Sequence, residues 1–288
     1  MTDRAETWIS ETLYPAFQQR FEASRILFRS QTDLQDLAIF ENPYFGRILV
    51  LDGAIQTTTR DEACYHEMLA HVPVFAHGNA KNVLIVGGGD GGALRDVLKH
   101  RSVERATMVE IDGSVVEMCR EYLPSLSDGA FDDPRAEVVI ADGVRYVRET
   151  DRRFDVIIVD STDPVGPAVP LFSDDFYRDC RAALTDDGIV VCQSGVSFVQ
   201  PGEARETHRR LARLFDDAAL YLTQVPTYAF GFMTLGWGAR SGHARATDAA
   251  TLRRRFAEAG IETLYYTPDI HAASFSLPAY LERALLTE

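Results

Sequence analysis

Four acidic residues follow apolar stretches of the chain, namely Asp90, Glu110, Asp142 and Asp160. Each stretch is typical of a buried strand, and in an open parallel sheet the carboxyl ends of the strands meet at one crevice where ligands bind. We therefore expect the four carboxylates to line a single site. Carboxylates gathered in this way favour the binding of a cationic ligand or general acid–base catalysis.

The first of these acids lies inside a glycine-rich loop, in the stretch VLIVGGGDGGALRD of residues 83–96. Gly87, Gly89 and Gly92 match the GxGxxG pattern between an expected strand and an expected helix. Glu110 ends the next strand, about 20 residues further on, where an acidic residue typically binds the ribose hydroxyls. This context predicts a nucleoside site.

The charge of Asp90 restricts what the loop can bind. A carboxylate there would repel a pyrophosphate at the same helix N-terminus, so a dinucleotide is disfavoured. An adenosine whose 5′ substituent ends in an ammonium suits the loop better. Asp90 would equally serve to cap a helix that begins at Gly91 or Gly92, and the loop alone does not separate the two roles.

The later strand ends offer similar pairs of interpretations. Asp142, in VVIADGV, is placed to accept a hydrogen bond from an adenine amino group or to cap the turn or helix that follows. In FDVIIVDSTDPVGPAVPLF, Asp160 ends a strand and Asp163 follows in a proline-rich loop that we expect to close over the site. Ordinary turn capping would also explain this pair, but the neighbouring acids favour a catalytic role.

The stretch YHEMLAH resembles the HExxH zinc motif without matching it. His66 and His71 are five residues apart, about 140° around a helix instead of on one face, so no zinc site is expected. The four cysteines are far apart in the sequence and form no CxxC or Cys/His cluster. Reduced thiols in the cytoplasm therefore fit better than a disulfide framework.

A sheet covered on both faces is needed to position these acids. After Lys81, apolar strands from NVLIVG to GIVVCQS alternate with helical segments, and continuous runs such as VIIV suit parallel strands. We predict a Rossmann-like, doubly wound α/β domain of the class I methyltransferase kind over residues 63–288, with FGFMTLGWG and IETLYYT as edge strands. Between Arg25 and Gln56, turn signals that include Asp52-Gly53 predict a small antiparallel β domain within residues 1–62.

Composition and net charge indicate which classes of ligand and partner the protein is expected to bind. The chain has 288 residues, 46% of them apolar, and a net charge of −14, which repels nucleic acid and anionic membranes and attracts cationic small molecules. An acidic, solvated surface explains the same charge. No apolar run approaches the ~18 residues of a membrane span, and the stretch MTDRAETWISETLY lacks the regions of a signal peptide. We expect a soluble cytoplasmic protein that binds neither nucleic acid nor membranes.

Ordered motifs along nearly the whole chain resemble those of the spermidine synthases, the polyamine aminopropyltransferase family, and most closely its bacterial members. The motifs are QDLAIFEN, GRILVLDGAIQTT, RDEACYHEMLAHVP, VLIVGGGDGGALRD, MVEID, DDPRAEVVIADG, FDVIIVDSTDPVGP, VPTY and YYTPDIHAASFSLPAYL. The resemblance implies transfer of the aminopropyl group of decarboxylated S-adenosylmethionine to putrescine, which yields spermidine and 5′-methylthioadenosine. Decarboxylated S-adenosylmethionine would then be a co-substrate, with no resident cofactor or metal.

The resemblance also implies roles for individual residues. Those expected to bind decarboxylated S-adenosylmethionine are Gln35, Asp90, Glu110, Asp142, Gly143 and Pro167. Those expected around the polyamine are Tyr65, His66, Asp90, Asp160, Ser161, Thr162, Asp163 and Tyr228. Within these sets, Asp90 would hold the aminopropyl ammonium, Glu110 the ribose, and Asp160 would accept the proton. A homodimer or homotetramer is expected.

Two other functions are consistent with the residues alone. A methyltransferase that uses intact S-adenosylmethionine would need a similar nucleoside site, although that ligand carries a carboxylate that Asp90 disfavours. A catalytically silent polyamine-binding protein is the second alternative, and it would have no need of Asp160, Asp163, Tyr65 and Tyr228 together.

Overall fold

The computed structural model describes residues 7–286 of the chain. Within this range the strands are β1 Thr7–Tyr14, β2 Phe17–Ala23, β3 Arg25–Gln31, β4 Asp36–Asn42, β5 Gly46–Leu51, β6 Ala54–Thr58, β7 Asn82–Gly87, β8 Arg105–Glu110, β9 Ala136–Ile140, β10 Phe154–Asp160, β11 Leu184–Val196, β12 Asp217–Gln224 and β13 Phe232–Ala239. The helices are α1 Ala63–His77, α2 Gly92–Leu98, α3 Gly113–Tyr122, α4 Pro124–Ser127, α5 Gly143–Glu149, α6 Asp174–Ala183, α7 Pro201–Leu214, α8 Ala249–Ala259, α9 Pro268–Ser274 and α10 Ala279–Leu286. None of these helices combines the length and the apolar character that crossing a bilayer requires.

A seven-stranded sheet forms the body of the protein, in the order β12-β13-β11-β10-β7-β8-β9. The strands from β11 to β9 run parallel. β13 pairs antiparallel with β11, and β12 pairs antiparallel with β13 at the edge of the sheet. Alternate residues of each central strand enter cores on opposite faces: Val83 and Ile85 pack on the side of α1, and Leu84 and Val86 on the side of α6. The predicted Rossmann-like fold is therefore confirmed.

The edge of the sheet differs in part from the prediction. The stretch FGFMTLGWG supplies a strand, β13, as expected, but β13 lies between β11 and β12 and not at the edge. IETLYYT forms no strand, and the edge strand on this side is β12. The carboxylate of Glu67 in α1 accepts the backbone N–H groups of Leu264, Tyr265 and Tyr266, at 2.7–2.8 Å. Because these donors bond a side chain, they are not used for pairing in a sheet.

The predicted antiparallel β domain is present as the four-stranded sheet β3-β4-β5-β6. Asp52 and Gly53 form the tight turn between β5 and β6, with φ angles of 48° and 78°. One face of this sheet, with Leu37 and Ile39, packs on α3 and α4, and the other packs on β2. The predicted boundary between residues 62 and 63 falls at the start of α1 and stays a prediction. The predicted domains also include residues 1–6 and 287–288, which lie outside the described residues.

A further hairpin, β1 with β2, was not predicted from the sequence. Its turn includes Ala16 at a φ of 61°, and its strands show no clear alternation of apolar and polar residues. Gln19 of this hairpin donates to the backbone oxygen of Thr227 at 2.8 Å, and the rings of Phe17 and Phe230 lie 4.6 Å apart. The hairpin is thereby fixed against the loop that connects β12 and β13.

Candidate active site

The glycine-rich loop lies directly against the ends of two strands. Gly87 and Gly88 have φ angles of 84° and 71°, a region that favours glycine. A Cβ atom on Gly87 would lie 2.0 Å from the backbone oxygen of Asp160, and one on Gly89 would lie 2.9 Å from Oε2 of Glu110. The glycines therefore bring the loop backbone against the acids that end β10 and β8.

A cleft with a volume of about 290 Å³ opens at the carboxyl ends of the parallel strands. Every residue that the sequence predicted for the site lines it: Gln35, Tyr65, His66, Asp90, Glu110, Asp142, Gly143, Asp160, Ser161, Thr162, Asp163, Pro167 and Tyr228. The predicted cluster of strand-end carboxylates thus exists as one site. The roles assigned to the individual residues stay predictions.

The acids expected on the nucleoside side are held by backbone donors. Glu110 accepts the N–H groups of Gly89 at 3.1 Å and Asp112 at 3.0 Å. Burial raises the pKa of Glu110 to about 7, against the effect of these hydrogen bonds. Gln35 donates to Oδ2 of Asp112 at 2.9 Å, which links the antiparallel domain to this side of the cleft.

Asp142 fills the capping role that the sequence left open, and its contact with an adenine stays a prediction. Its Oδ1 accepts the N–H group of Val144 at 2.8 Å, so it caps α5, and its side chain also borders the cleft. A Cβ atom on the neighbouring Gly143 would lie 2.4 Å from Cγ1 of Val86, so only glycine fits beside β7 without displacing that side chain.

Asp160, the residue predicted to act as the base, lines the cleft at the end of β10. Tyr65 of α1 donates from Oη to Oδ1 of Asp160 at 2.9 Å, which orients the carboxylate. Burial raises the pKa of Asp160 to about 6, the charge of His66 opposes this shift, and the charge of Asp90 adds to it. A carboxylate with a pKa near the working pH accepts a proton effectively.

Asp90 fills the capping role at the start of α2, and its binding of an ammonium stays a prediction. Its Oδ1 accepts the N–H group of Gly92 at 2.8 Å, which satisfies a donor at the start of α2. Its Oδ2 lies 3.3 Å from Nε2 of His66, and the other ring nitrogen of His66 lies 2.8 Å from Glu62. His66 and His71 have different partners, because Nδ1 of His71 bonds to Nε2 of His100.

A second group of polar residues lies beyond Asp160, towards the β1–β2 hairpin. Asp163 accepts a hydrogen bond from Nε2 of Gln200 at 2.8 Å, and the buried hydroxyl oxygen of Ser161 has no hydrogen-bond partner among residues 7–286. Tyr228 donates its hydroxyl to the backbone oxygen of Gln56 at 2.6 Å, so it presents its ring to the cleft.

Glu11 of β1 completes this end of the cleft and was missed by sequence reasoning. It is 4% exposed and lines the cleft. Its Oε1 accepts the N–H group of Ile55 at 2.7 Å. Burial raises the pKa of Glu11, and the charge of Asp163 adds to that shift although the two hydrogen bonds that Glu11 accepts oppose it. A cation bound beside Glu11 would favour its ionised form and offset the charge of Asp163.

Two further charged residues behind the cleft, Glu62 and Arg95, were also missed. Glu62 accepts two hydrogen bonds from Arg95, at 2.9 Å each. The spacing of Glu62 and His66, four residues apart on a helical stretch, would have indicated their contact. Away from the cleft, at the amino end of β10, the described residues include a group with metal-ligand geometry, made of His77, Asp155 and Asp187.

Two protein families match consecutive parts of the chain. The family described as "Spermine/spermidine synthase domain" matches residues 62–247, and the one described as "Spermidine synthase tetramerisation domain" matches residues 7–59. A polyamine aminopropyltransferase of Pectobacterium carotovorum subsp. carotovorum is 54% identical over 280 residues, 97% of each chain. One of Yersinia pestis (strain Pestoides F) is 52% identical over 282 residues, 98% of this chain and 95% of that one.

Solved structures show the same likeness. A spermidine synthase in complex with the transition-state analogue AdoDATO superposes with a TM-score of 0.93 and 41% identity, covering 98% of this chain and 96% of that one. The spermidine synthase of Thermotoga maritima gives a TM-score of 0.90 and 40% identity, covering 98% and 95%. The likeness therefore extends over both the antiparallel domain and the doubly wound domain.

Proposed function

This chain belongs to the spermine/spermidine synthase family and is an aminopropyltransferase, and from that premise we propose that it makes spermidine. In the proposed reaction the aminopropyl group of decarboxylated S-adenosylmethionine is transferred to putrescine, and 5′-methylthioadenosine is released. Decarboxylated S-adenosylmethionine acts as a co-substrate, and the reaction uses no resident cofactor.

The observation that carries this proposal is the distribution of charge in the cleft. Two carboxylates line the cleft close together, with Asp90 in the glycine loop and Asp160 at the end of β10, near enough that the charge of Asp90 raises the pKa of Asp160. Two cationic ligands, an aminopropyl ammonium and a diammonium, match such a site in sign. Intact S-adenosylmethionine would add a carboxylate beside Asp90, which this arrangement disfavours.

The proposed step is a direct displacement. A nitrogen of putrescine forms a bond to the aminopropyl carbon next to the sulfonium, the bond from that carbon to sulfur breaks, and its electron pair neutralises the sulfur. The attacking amine must first lose a proton, and at pH 7 only about one alkyl amine in a thousand or more is neutral, a cost of roughly 4–5 kcal/mol. Asp160 accepts that proton, with Tyr65 holding its carboxylate in place.

The far end of the acceptor is proposed to lie between the acids near the hairpin. The charge of Asp163 raises the pKa of Glu11, and Asp163 is fixed by Gln200. This supports a second ammonium site at that end. Putrescine is the proposed acceptor, and cadaverine, agmatine and spermidine are the competitors to be tested.

A homodimer or homotetramer is proposed for the assembly, supported by the match of residues 7–59 to a tetramerisation domain. Light scattering on the purified protein would measure the assembly mass, and a monomer would contradict the proposal. A cytoplasmic location is also proposed, and it is supported by the free state of all four cysteines.

A mass-spectrometric assay with purified protein tests the reaction. We expect decarboxylated S-adenosylmethionine and putrescine to give spermidine and methylthioadenosine, with slower product formation from the other amines. Intact S-adenosylmethionine serves as the control, because a methylated amine would identify a methyltransferase. Binding of both substrates without any product would identify a silent polyamine-binding protein.

A further inference from the structure

A series of buried charged side chains leads from Asp90 away from the cleft. His66 lies between two carboxylates, with Nε2 at 3.3 Å from Asp90 and Nδ1 at 2.8 Å from Glu62. Arg95 donates to both oxygens of Glu62 at 2.9 Å. We call Asp90, His66, Glu62 and Arg95 the buried ion chain. Its charges alternate in sign when His66 is protonated, so each charge has an opposite neighbour.

Two members of the buried ion chain do not reach the cleft. The side chains of Glu62 and Arg95 are 11% and 12% exposed, and neither lines the cleft. Arg95 is fixed further by the backbone oxygen of Leu126 at 2.9 Å and by Asp96 at 2.9 Å. Their geometry is therefore set inside the protein and not by a ligand.

Packing fixes His66 as firmly as its hydrogen bonds do. His66 is 2% exposed, and a Cβ atom on Gly92 would lie 2.3 Å from its Nδ1. The N–H group of the same Gly92 bonds to Oδ1 of Asp90. The imidazole and the Asp90 carboxylate are thus held by one turn of the loop, and both ring nitrogens of His66 are already occupied.

The charges reinforce this arrangement. Burial opposes protonation of His66, but the carboxylates of Asp90 and Glu62 outweigh it and hold the pKa of His66 well above its usual range. Burial likewise opposes ionisation of Asp90, yet the nearby His66 charge keeps the pKa of Asp90 below its usual value. Asp90 is therefore ionised, with one orientation, before any ligand binds.

We propose that Glu62 and Arg95 are positioning residues that act through His66 to keep the Asp90 carboxylate charged and aimed at the aminopropyl ammonium. The inference rests on the proposed function, in which Asp90 binds that ammonium. His66, which the family resemblance associates with the polyamine, then acts on the nucleoside donor through Asp90.

The test is Glu62→Gln, with dissociation constants measured by calorimetry for decarboxylated S-adenosylmethionine and methylthioadenosine. Only the first ligand carries the ammonium. We expect its affinity to fall about ten- to a hundred-fold, the usual effect of losing a charged hydrogen bond, and the affinity for methylthioadenosine to stay within about two-fold. Asp90→Asn gives the reference for complete loss of the ammonium contact.

A matched control removes an ion pair elsewhere. Asp217, on β12 and outside the cleft, has a side chain that is 10% exposed and pairs with Arg245. Asp217→Asn is expected to change neither dissociation constant. An equal loss of both ligands in Glu62→Gln, or no loss of either, would overturn the positioning role.

A measurement on the wild-type protein avoids any folding defect of the variant. The imidazole nitrogen resonances of His66 at pH 7, assigned with His66→Gln, are expected to show a doubly protonated ring, because the pKa of His66 is held above its ordinary value, and a neutral ring would overturn the inference. Spermidine formation in the same preparation tests the proposed function separately. Product formation without a selective loss in Glu62→Gln would overturn the inference alone, whereas absence of product from the wild type would overturn both.

Discussion

At the scale of single residues, the site depends on a difference in pKa between two of its carboxylates. Asp160 and Asp90 line one cleft, Asp90 buried and Asp160 partly buried, yet the pKa of Asp160 is raised to about 6 by burial, and that of Asp90 is lowered because His66 and a backbone N–H group outweigh burial. Asp160 is thereby suited to accept a proton, and Asp90 to stay charged. The charge of His66 lowers the pKa of both groups, but Asp90 also has a ring nitrogen of His66 at 3.3 Å and accepts the N–H group of Gly92.

Replacing Asp160 with asparagine should abolish most of the turnover without affecting donor binding. Asparagine is nearly isosteric but accepts no proton, so we expect kcat to fall about 10²- to 10⁴-fold. Initial rates and the dissociation constant of methylthioadenosine measure the two effects. We also expect the acidic limb of kcat/KM near pH 6 in the wild type to disappear in the variant, because the wild-type enzyme loses its base below the pKa of Asp160. Turnover within a few-fold of wild type would exclude Asp160 as the base.

At the scale of secondary-structure elements, glycines determine how closely loops approach strands. Gly143 begins α5 beside β7, where an added Cβ would lie 2.4 Å from Val86, a side chain that is 2% exposed. We expect Gly143→Ala to lower the free energy of unfolding by about 1–3 kcal/mol, since a buried side chain must move. Urea unfolding followed by circular dichroism measures the change.

Gly202 in α7 provides the matched control, because an added Cβ there meets no atom within 4 Å. We expect Gly202→Ala to raise the free energy of unfolding by about 0.5 kcal/mol, since alanine loses less backbone freedom than glycine on folding. If Gly143→Ala proved as stable as Gly202→Ala, the close contact between α5 and Val86 would not constrain the loop.

The elements that sequence could predict are those specified by local patterns. The turn at Asp52-Gly53 follows from residues that tolerate positive φ, and the central strands follow from continuous apolar runs. The stretch IETLYYT has a strand-like composition, but Glu67 binds its backbone N–H groups. Strand propensity reflects how well side chains pack on a half-buried surface, and here that surface is a helix instead of a neighbouring strand. Composition alone therefore gave the wrong prediction.

The same limit applies to the site. Strand-end acids such as Asp160 were predictable because topology collects them at one edge of the sheet. Glu11 was not, because its partners Ile55 and Gln19 and its neighbour Asp163 come together only when the hairpin folds onto the rest of the protein. No pattern within residues 7–14 carries that information.

At the scale of the whole molecule, a buried histidine pair joins distant parts of the chain. His71 of α1 and His100, which follows α2, share a hydrogen bond of 2.9 Å and are 0% and 4% exposed. The ring of Tyr266, from the C-terminal region, lies 5.4 Å from that of His71 and stacks on Phe75. Protonation of this pair would place charge in a core that links three regions.

Burial lowers the pKa of His71 to about 4, although the charge of Asp96 opposes the shift. An unfolded histidine has a pKa near 6.5, so the unfolded state binds the proton more readily. The stabilisation from a neutral His71 is complete above about pH 6.5 and is lost as the pH falls towards 4, by about 1.4 kcal/mol per pH unit. His66 behaves oppositely: its pKa is raised, so its contribution is complete below about pH 6.5 and is lost only at higher pH.

We therefore expect the gap in unfolding free energy between the wild type and His71→Gln to change by about 2 kcal/mol between pH 7.5 and pH 5, with the wild type losing more. Urea unfolding at the two pH values measures this gap. Asp160 and Glu110, whose pKa values are raised, contribute equally to the pH dependence of both proteins, so their contributions cancel in the gap. His243→Gln, at an exposed position, should show no such change. A gap for His71→Gln that stays constant with pH would mean that His71 takes up its proton equally in the folded and unfolded states, and that the histidine core does not govern acid stability.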